Sequence, residues 1–350
     1  MIGFALEGGG AKGSYQAGAY IALVKNGIKP DFIAGTSIGS VNAALMAQGD
    51  INKVVELWLN TTTDIFGINS KLIDKIKHKE FTKEDIKPSF NEIKEIIKNK
   101  GIDTTEYFNI IKNSIDEEKL RKSKTKFGLI TVKLDGKPQP IEITIDDIPE
   151  GKVAEYILAS CYLPIFKSKP IIDNSHYLDG GFYNNVPLDL LENQGCDTIY
   201  SIRIKGIGFV HNKLKKETKV IEIKPKRSLG QTIIFNRETN ERNMKLGYYD
   251  ALKVIKNLDG IDYYFKSKSD GYYNRIVRNI NPRELKKLMN KFHVKTNKDL
   301  IIKIIEHEFD KNNIDVFNIY NIKLSILMLR RKYNIQDKAI KRFINNCKII

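Results

Sequence analysis

The chain has 350 residues, which is long enough for one large domain or for two domains of ordinary size. Three scattered cysteines exclude a disulfide-based secreted fold, and the lack of any run of about 18 apolar residues excludes a membrane-spanning helix. The 41% hydrophobic content supports a buried core, and the net charge of +16 at pH 7 favours anionic partners.

The chain begins with an apolar run, Ile2 to Leu6, that predicts a short buried strand. A core strand at the N-terminus leaves no room for a signal peptide. The cysteines Cys161, Cys196 and Cys347 lack metal-ligand spacing and are interpreted as reduced thiols. We therefore expect a cytoplasmic protein, unless it is exported by a route that needs no cleaved leader.

Three consecutive glycines, Gly8, Gly9 and Gly10, follow this strand and precede a predicted helix from Gly13 to Lys25. Glycine adopts backbone dihedral angles that are closed to other residues, and a helix N-terminus directs N–H groups and a positive dipole end at one point. A negative group is therefore expected at this loop, either a bound phosphate or a charge that exists only during a reaction.

The glycine loop spells G-x-G-x-x-G, as in dinucleotide-binding proteins, between a strand and a helix. Those proteins also need an acidic residue at the end of the second strand for the ribose hydroxyl. Here the second predicted strand runs from Pro30 to Thr36, and its only acid, Asp31, lies at its start. A Walker-type loop is not matched either, because Lys12 precedes Gly13 instead of following it. Nucleotide binding stays an alternative with incomplete support.

A G-x-S-x-G motif stands at the end of the second predicted strand, before a predicted helix from Ile38 to Gln48. In this context the motif is typical of a nucleophile elbow, a tight turn that exposes a serine oxygen at the carboxyl edge of a sheet. An ordinary turn rich in glycine and serine is the alternative interpretation. The motif comprises Gly35, Thr36, Ser37, Ile38 and Gly39.

Residues 51–122 are polar and contain amphipathic helical pieces, so they predict a helical insertion that is a candidate lid. Strand character returns at residues 126–134 and 140–145, paired across the turn at Asp135-Gly136. Further predicted elements are a core helix at 153–163 and strands at 197–204 and 220–225.

An aspartate, Asp179, follows an apolar pair and precedes Gly180 and Gly181. It is predicted at a strand end where the backbone turns sharply, although an ordinary Asp-Gly turn is the alternative. Partial burial would raise its pKa above the usual value of ~3.9 and make it a better proton acceptor. No histidine lies in a motif typical of a catalytic base. The histidines are His78, His176, His211, His293 and His307.

The glycine loop, the G-x-S-x-G motif and the Asp-Gly-Gly motif together resemble the patatin-like phospholipases, and ASCYLPIF at 159–166 is similar to the segment before that family's aspartate. The resemblance implies a three-layer α/β/α sandwich with a mainly parallel central sheet, and a catalytic domain over 1–270. It also implies hydrolysis of acyl esters of lipids, of phospholipase A or lysophospholipase type. No metal or other cofactor is expected, because no His, Asp or Glu cluster offers a calcium or zinc site and a serine nucleophile needs no metal.

Carried over residue by residue, the resemblance implies that Ser37 is the nucleophile and Asp179 the proton acceptor of a dyad without histidine. The amides around Gly9 and Gly10 would stabilise the oxyanion. The cation of Lys12 would favour developing negative charge or a nearby head-group phosphate, unless it is a solvated surface lysine. The whole glycine motif comprises Gly8, Gly9, Gly10, Ala11, Lys12 and Gly13.

Two alternatives to a lipid hydrolase remain open. One is an esterase or thioesterase that acts on a soluble acyl substrate. The other is a basic module that binds nucleotides or nucleic acid and carries an incidental G-x-S-x-G. Covalent labelling by a fluorophosphonate separates the second alternative, because an idle serine does not react.

Residues 271–350 hold 18 Lys and Arg against 7 Asp and Glu, with apolar residues at helical spacing. They predict a basic helical C-terminal region, either a bundle with solvated lysines or a surface that contacts an anionic membrane peripherally. No nucleic-acid partner is expected, because the region lacks interleaved aromatics and a groove-reading motif. The basic cluster comprises Arg330, Arg331, Lys332, Lys338, Lys341 and Arg342.

Overall fold

The computed structural model describes residues 1–63 and 101–349, so the middle of the predicted 51–122 insertion and His78 lie outside the described residues. The strands are β1 (Ile2–Leu6), β2 (Phe32–Thr36), β3 (Lys126–Lys133), β4 (Gln139–Thr144), β5 (Tyr177–Asp179), β6 (Thr198–Ile202), β7 (Lys219–Ile223), β8 (Tyr264–Phe265) and β9 (Ile319–Tyr320). The helices are α1 (Ser14–Lys25), α2 (Ile38–Ala47), α3 (Ile51–Asn60), α4 (Thr105–Ser114), α5 (Glu117–Lys122), α6 (Val153–Ser160), α7 (Leu188–Asn193), α8 (Arg237–Ile255), α9 (Asp270–Val277), α10 (Pro282–Phe292), α11 (Asn297–Lys311), α12 (Ile322–Lys332) and α13 (Lys338–Asn346).

Seven strands form one central sheet in the order β4-β3-β2-β1-β6-β7, with β5 paired to β3. The pairs β1–β2, β1–β6, β2–β3 and β6–β7 are parallel. β4 and β5 both run antiparallel to β3. The sheet is therefore mixed and mostly parallel, as the sequence predicted, and the predicted hairpin across Asp135-Gly136 is confirmed.

Helices cover both faces of this sheet because its strands are apolar on both sides. On one face, Ala5 of β1 and Ala34 of β2 pack in one core cluster with Leu190 of α7. On the other face α2 lies very close to β2, since a Cβ on Gly35 would be only 2.0 Å from the carbonyl oxygen of Gly39. This is the predicted layering of helices around a sheet.

Strand β5 brings two distant parts of the chain together at the carboxyl edge of the parallel strands. β2 ends at Thr36, which pairs with Ile130 of β3. β5 ends at Asp179, which pairs with the next β3 residue, Thr131. Thr131 also pairs with β4 on the other edge of β3. β5 therefore lies on the same edge of β3 as β2 and begins its pairing where that of β2 ends. Asp179 and the residue that follows Thr36 are therefore neighbours.

The chain divides into two compact units, Met1–Asp250 and Ala251–Ile350. The division lies before the predicted boundary at residue 270, because Tyr263 and Phe265 already pack in the core of the second unit. Helices α9 to α13 supply most of that core, in agreement with the helical character predicted for residues 271–350. The short parallel strands β8 and β9 were not predicted.

Two of the six clustered basic residues are bound within the second unit. The guanidinium of Arg330 donates to the carbonyl oxygens of Ile344 and Cys347, and Arg342 pairs with Glu284 at 2.7 Å. Arg330 therefore joins α12 to the end of α13 and is not a free surface charge. The exposed members of the cluster that form no hydrogen bond or ion pair within the described residues are Arg331, Lys332, Lys338 and Lys341. None of the helices in the described ranges is long and apolar enough to cross a bilayer.

Candidate active site

Ser37 occupies the turn between β2 and α2, the position predicted for a nucleophile. Its φ of 56° and ψ of −131° lie outside the helix and strand regions, so the chain reverses sharply at this residue. Gly39 permits the turn, because a Cβ there would lie 2.3 Å from the carbonyl oxygen of Leu6. The local sequence thus produces a strained elbow with the serine at its apex.

Hydrogen bonds from neighbouring residues hold the elbow in place. The N–H of Ser37 donates to Ser160 Oγ at 2.9 Å, and the Ser160 hydroxyl donates to the carbonyl oxygen of Ile130 at 2.7 Å. The Ser40 hydroxyl donates to the carbonyl oxygen of Ser37 at 2.6 Å. Because Ser160 is fully buried, these bonds fix the backbone of Ser37 away from competing water.

Asp179 ends β5 beside the elbow, with 3% of its surface exposed. Burial raises the pKa of Asp179 to about 6, and hydrogen bonds from the Ser37 hydroxyl and the Gly181 N–H oppose that rise. The Gly181 N–H donates to Oδ1 at 2.7 Å, whereas Oδ2 has no partner of good geometry among the described residues. The Ser37 hydroxyl is therefore within reach of the carboxylate but poorly aligned with it, which is common before substrate binds.

None of the polar groups described around the elbow is an imidazole. Within the described ranges, no histidine side chain hydrogen-bonds to Ser37 or Asp179. His211 instead stacks on Phe209, with ring centroids 5.9 Å apart. The same ranges contain no group of three His, Cys, Asp or Glu that could hold a metal ion.

The glycine loop lies directly beside the nucleophile, since a Cβ on Gly8 would be 3.0 Å from the Cβ of Ser37. Gly10 has a φ of 58°, and a Cβ there would lie 2.2 Å from the carbonyl oxygen of Thr232. The N–H groups of Gly9 and Gly10 have no acceptor among the described residues. Two unpaired amides in a loop that adjoins a serine are candidates to bind an oxyanion.

Asn185 ties the glycine loop to the chain that follows Asp179. The Gly8 N–H donates to the carbonyl oxygen of Asn185 at 3.2 Å, and Asn185 Nδ2 donates back to the carbonyl oxygen of Gly8 at 3.1 Å. Asn185 is buried, and its own N–H donates to the carbonyl oxygen of Phe209 at 2.6 Å. The reciprocal pair fixes both peptide groups of Gly8, and with them the direction of the two amides that follow.

Glu7 anchors the other side of the loop. Its buried carboxylate accepts the N–H groups of Ile204 and Lys205 and pairs with Arg203 at 3.0 Å. Lys12 Nζ donates to the carbonyl oxygen of Lys205 at 3.1 Å, and burial lowers the pKa of Lys12. Lys12 is therefore attached to the 203–205 segment and is not the freely solvated lysine of the alternative interpretation.

Two more side chains, which the sequence motifs did not place there, lie beside Ser37 and Asp179. Cys161 is a buried free cysteine beside Ser37 and Asp179, and burial together with the Asp179 charge raises its pKa to about 12. Its thiol lies within hydrogen-bonding reach of Tyr107 on α4, whose pKa is also raised by burial. The predicted 51–122 insertion therefore contributes Tyr107 to the wall of the site.

A small apolar cavity of about 20 Å³ lies next to the residue that follows the nucleophile. Its lining includes Ile38 from α2, Trp58 from α3, Tyr107 and Ile111 from α4, and Phe235. A cavity of this volume holds only about one water-sized group, so it shows an apolar wall beside Ser37 and not a pocket for an acyl chain.

Asn185→Ala should lower kcat by about 10- to 100-fold with little change in KM, because the amides of the glycine loop lose their fixed direction. The control is Asn240→Ala, since Asn240 is an equally buried asparagine whose Nδ2 donates to the carbonyl oxygen of Trp58 at 2.7 Å. Steady-state kinetics on a soluble ester compare the two variants. Equal losses of kcat would show that Asn185 acts only through general stability.

The sequence is similar to those of proteins of one known family. A sequence model described as patatin-like phospholipase matches residues 4–192. The patatin-like phospholipase domain-containing protein ZK370.4 of Caenorhabditis elegans is 28% identical over 218 residues, which are 59% of this chain and 14% of that protein. Lysophospholipase nte1 of Aspergillus terreus is 51% identical over 47 residues, which are 13% of this chain and 3% of that protein.

The chain spans less than a fifth of the length of the curated relatives that it matches. Among solved structures, VipD from Legionella pneumophila is similar with a TM-score of 0.42 and 15% sequence identity, over 99% of this chain and 83% of that chain.

Proposed function

The chain belongs to the patatin-like phospholipase family, and from this premise we propose that it hydrolyses acyl ester bonds of phospholipids by means of Ser37 and Asp179. The observation that carries the proposal is the convergence of three groups at one sheet edge. Asp179 lies beside the strained elbow of Ser37. Gly8 lies against Ser37 and is followed by Gly9 and Gly10, whose N–H groups have no acceptor within the described residues.

In the first half of the reaction, Ser37 Oγ attacks the carbonyl carbon of the ester while its proton passes to Asp179. The carbonyl oxygen becomes an oxyanion that accepts hydrogen bonds from Gly9 and Gly10. Collapse of this intermediate breaks the ester bond, and the leaving alcohol takes the proton from Asp179. The acyl group is then an ester of Ser37.

In the second half, water attacks the acyl-enzyme and gives a proton to Asp179. A second oxyanion forms at the glycine loop and collapses, and Ser37 Oγ recovers the proton as the fatty acid leaves. Each amide donor of such a hole contributes about 10²–10³ in rate. This contribution requires a rigid loop, which the contacts of Gly8 with Asn185 and of Glu7 with residues 203–205 support.

The test is direct analysis of products. Purified protein is incubated with phosphatidylcholine and lysophosphatidylcholine vesicles, and with a soluble ester and a soluble thioester, and free fatty acid is measured by mass spectrometry. Release from the lipids, with labelling of Ser37 by a fluorophosphonate, supports the proposal. Turnover of the soluble substrates alone would favour the soluble esterase, and absence of labelling would favour the nucleotide-binding module.

The rate should depend on the ionisation of Asp179. Because only the ionised carboxylate accepts the serine proton and its pKa is raised to about 6, kcat/KM should fall about tenfold per pH unit below that value and level off above it. A soluble ester is the substrate for this measurement, so that lipid ionisation does not contribute. A flat profile between pH 7 and 5 would remove Asp179 from the role of proton acceptor.

Activity should survive EDTA, because the sequence offers no His, Asp or Glu cluster for calcium or zinc and a serine nucleophile needs no metal. Hydrolysis of a soluble ester and of vesicles is measured with and without the chelator. Loss of both activities would mean that the site has been misinterpreted. Loss on vesicles alone would place the metal at the lipid surface.

We also propose peripheral contact of the protein with anionic membrane. In the second unit, the exposed residues that support it are Arg331, Lys332, Lys338 and Lys341. Arg330 and Arg342 are better left intact in any test of that unit, because both are bound to other residues of the unit.

A further inference from the structure

Exposed apolar side chains gather at one place in the catalytic unit. Of the nine large apolar side chains that are exposed in the described residues, four lie in or beside residues 205–216. They are Phe182, Ile207, Phe209 and Val210, with Ile207 78% and Phe209 58% exposed. Single exposed apolar residues are normal on a protein surface, but a cluster marks a binding surface.

This segment, called here the 205–216 loop, is attached to both catalytic loops. The Phe209 N–H donates to the carbonyl oxygen of Gly181 at 2.9 Å, and the Asn185 N–H donates to the carbonyl oxygen of Phe209 at 2.6 Å. A Cβ on Gly206 would lie 1.7 Å from the carbonyl oxygen of Gly8. The backbone of the loop is thus fixed against the active site while its apolar side chains point to solvent.

The loop also carries positive charge, and the carboxylates of Asp189 and Glu192 accept the N–H groups of Lys213 and Lys215 at 2.9 Å. Residues 205–216 contain four lysines and no aspartate or glutamate. All four lysines are exposed: Lys205, Lys213, Lys215 and Lys216. Exposed apolar residues flanked by lysines match a surface that is apolar inside and negatively charged outside, as an anionic lipid layer is.

We propose that the 205–216 loop docks the active site onto an anionic lipid surface, with Phe182, Ile207, Phe209 and Val210 in the acyl region and the lysines among the head groups. The proposal rests on the proposed lipid hydrolysis, because it explains how the site would reach a substrate that is packed in a bilayer. It moves the principal membrane contact from the basic C-terminal region to the rim of the catalytic sheet.

Binding is tested in the Ser37→Ala background, so that vesicles are not consumed. The double change Ile207→Ser and Phe209→Ser removes two apolar side chains and leaves the backbone hydrogen bonds of the loop in place. Co-sedimentation with phosphatidylcholine vesicles that contain phosphatidylglycerol should show binding weakened by about 10- to 100-fold. Ile207→Ser alone serves if thermal denaturation shows that the double variant is unfolded.

The lysines are tested separately. Changing Lys213, Lys215 and Lys216 to Gln should weaken binding to the same anionic vesicles by on the order of 100-fold. Binding to vesicles of phosphatidylcholine alone should change little, and the salt dependence of anionic binding should become weaker because three of the charges are gone. An equal loss on both kinds of vesicle would contradict the charge part of the proposal.

The matched control is Ile261→Ser, which removes an apolar side chain that is 45% exposed and lies between Asp259 and Asp262. Vesicle binding of this control should equal that of the parent. Leu324→Ser tests the second unit, because Leu324 is 62% exposed in the apolar stretch before the basic cluster.

The proposal is overturned if the parent binds no vesicles, if the loop variant binds as well as the Ile261→Ser control, or if only Leu324→Ser weakens binding. Loop-dependent binding by a wild-type protein that releases no fatty acid would instead refute the proposed function and leave the docking surface standing. Where lipid is hydrolysed, the ratio of vesicle to soluble-ester turnover should fall in the loop variant by a factor similar to the loss of binding.

Discussion

Ser37→Ala should lower kcat by about 10⁴-fold or more while the protein stays folded. The loss is large because the thiol of Cys161, a nucleophilic side chain beside Ser37, is kept protonated by a pKa raised to about 12. The residual rate would come only from binding and the oxyanion donors. The fold should survive because the backbone bonds of the elbow, from the Ser37 N–H to Ser160 and from Ser40 to the Ser37 carbonyl, do not involve the side chain that is removed.

The control for this change is Ser201→Ala. Ser201 is a buried serine of β6 whose hydroxyl has no hydrogen-bond partner among the described residues, so its loss should leave kcat unchanged. Ester turnover, fluorophosphonate labelling and thermal denaturation are compared for wild type and both variants. Normal turnover by a folded Ser37→Ala protein would exclude Ser37 as the nucleophile.

The parts of the site that could be predicted from sequence are those that local backbone geometry determines. The glycines after β1 and around Ser37 lie where the chain turns sharply or where another backbone segment comes close. At Gly10 and Gly35, for example, a Cβ would be only about 2 Å from a backbone oxygen. Short apolar runs, either continuous or alternating with polar residues, predicted the ends of the central strands to within a few residues. Such runs are typical of strands whose two faces are both buried.

The parts that could not be predicted depend on contacts between distant residues. β5 lies beside β3 because β2 ends at Thr36, and no local pattern shows which strand will occupy that place. Asn185 and Ser160 hold the loop and the elbow as buried polar residues, yet each is unremarkable in its own segment. The only sequence features that could have pointed to them are an asparagine directly before Val-Pro and a serine at the end of an apolar helix.

Charge, too, can be counted from the sequence, but its role depends on contacts between distant residues. The C-terminal region is basic, as its composition indicates, but not every basic residue is a free surface charge. Arg330 is bound to backbone carbonyl oxygens of its own unit. The sequence alone did not mark the 205–216 loop as a binding surface, because its four lysines are few beside the 18 lysines and arginines of residues 271–350. The significance of the loop lysines comes from exposed apolar neighbours and from hydrogen bonds to Gly181 and Asn185, which are visible only in three dimensions.

Asp179→Asn should abolish turnover almost as completely as loss of the serine, since an amide cannot accept the proton of Ser37. We expect a fall in kcat of about 10³-fold or more, measured on a soluble ester. His176→Ala and His211→Ala serve as controls and should retain most of the activity. If either histidine change were as damaging as Asp179→Asn, a triad would replace the dyad.

The same substitution should make the protein more stable at neutral pH. Burial raises the pKa of Asp179 from 3.8 to about 6, so the folded protein holds a proton that the unfolded chain releases between these values. Folding is therefore favoured by this group below about pH 4, and that contribution is lost as the pH rises through 6. At pH 7.5 the buried ionised carboxylate costs about 3 kcal/mol of unfolding free energy, at roughly 1.4 kcal/mol for each pKa unit.

Asparagine carries no charge, and its Oδ1 can still accept the hydrogen bond from the Gly181 N–H that Asp179 accepts at 2.7 Å. Thermal denaturation of wild type and Asp179→Asn at pH 7.5 and at pH 4 should therefore show a higher melting temperature for the variant at pH 7.5 and nearly equal values at pH 4. A variant that is less stable than wild type at pH 7.5 would mean that the ionised carboxylate is well solvated or paired in the folded protein. A carboxylate in that state would be a weak base, and the proposed proton transfer from Ser37 would lose its driving force.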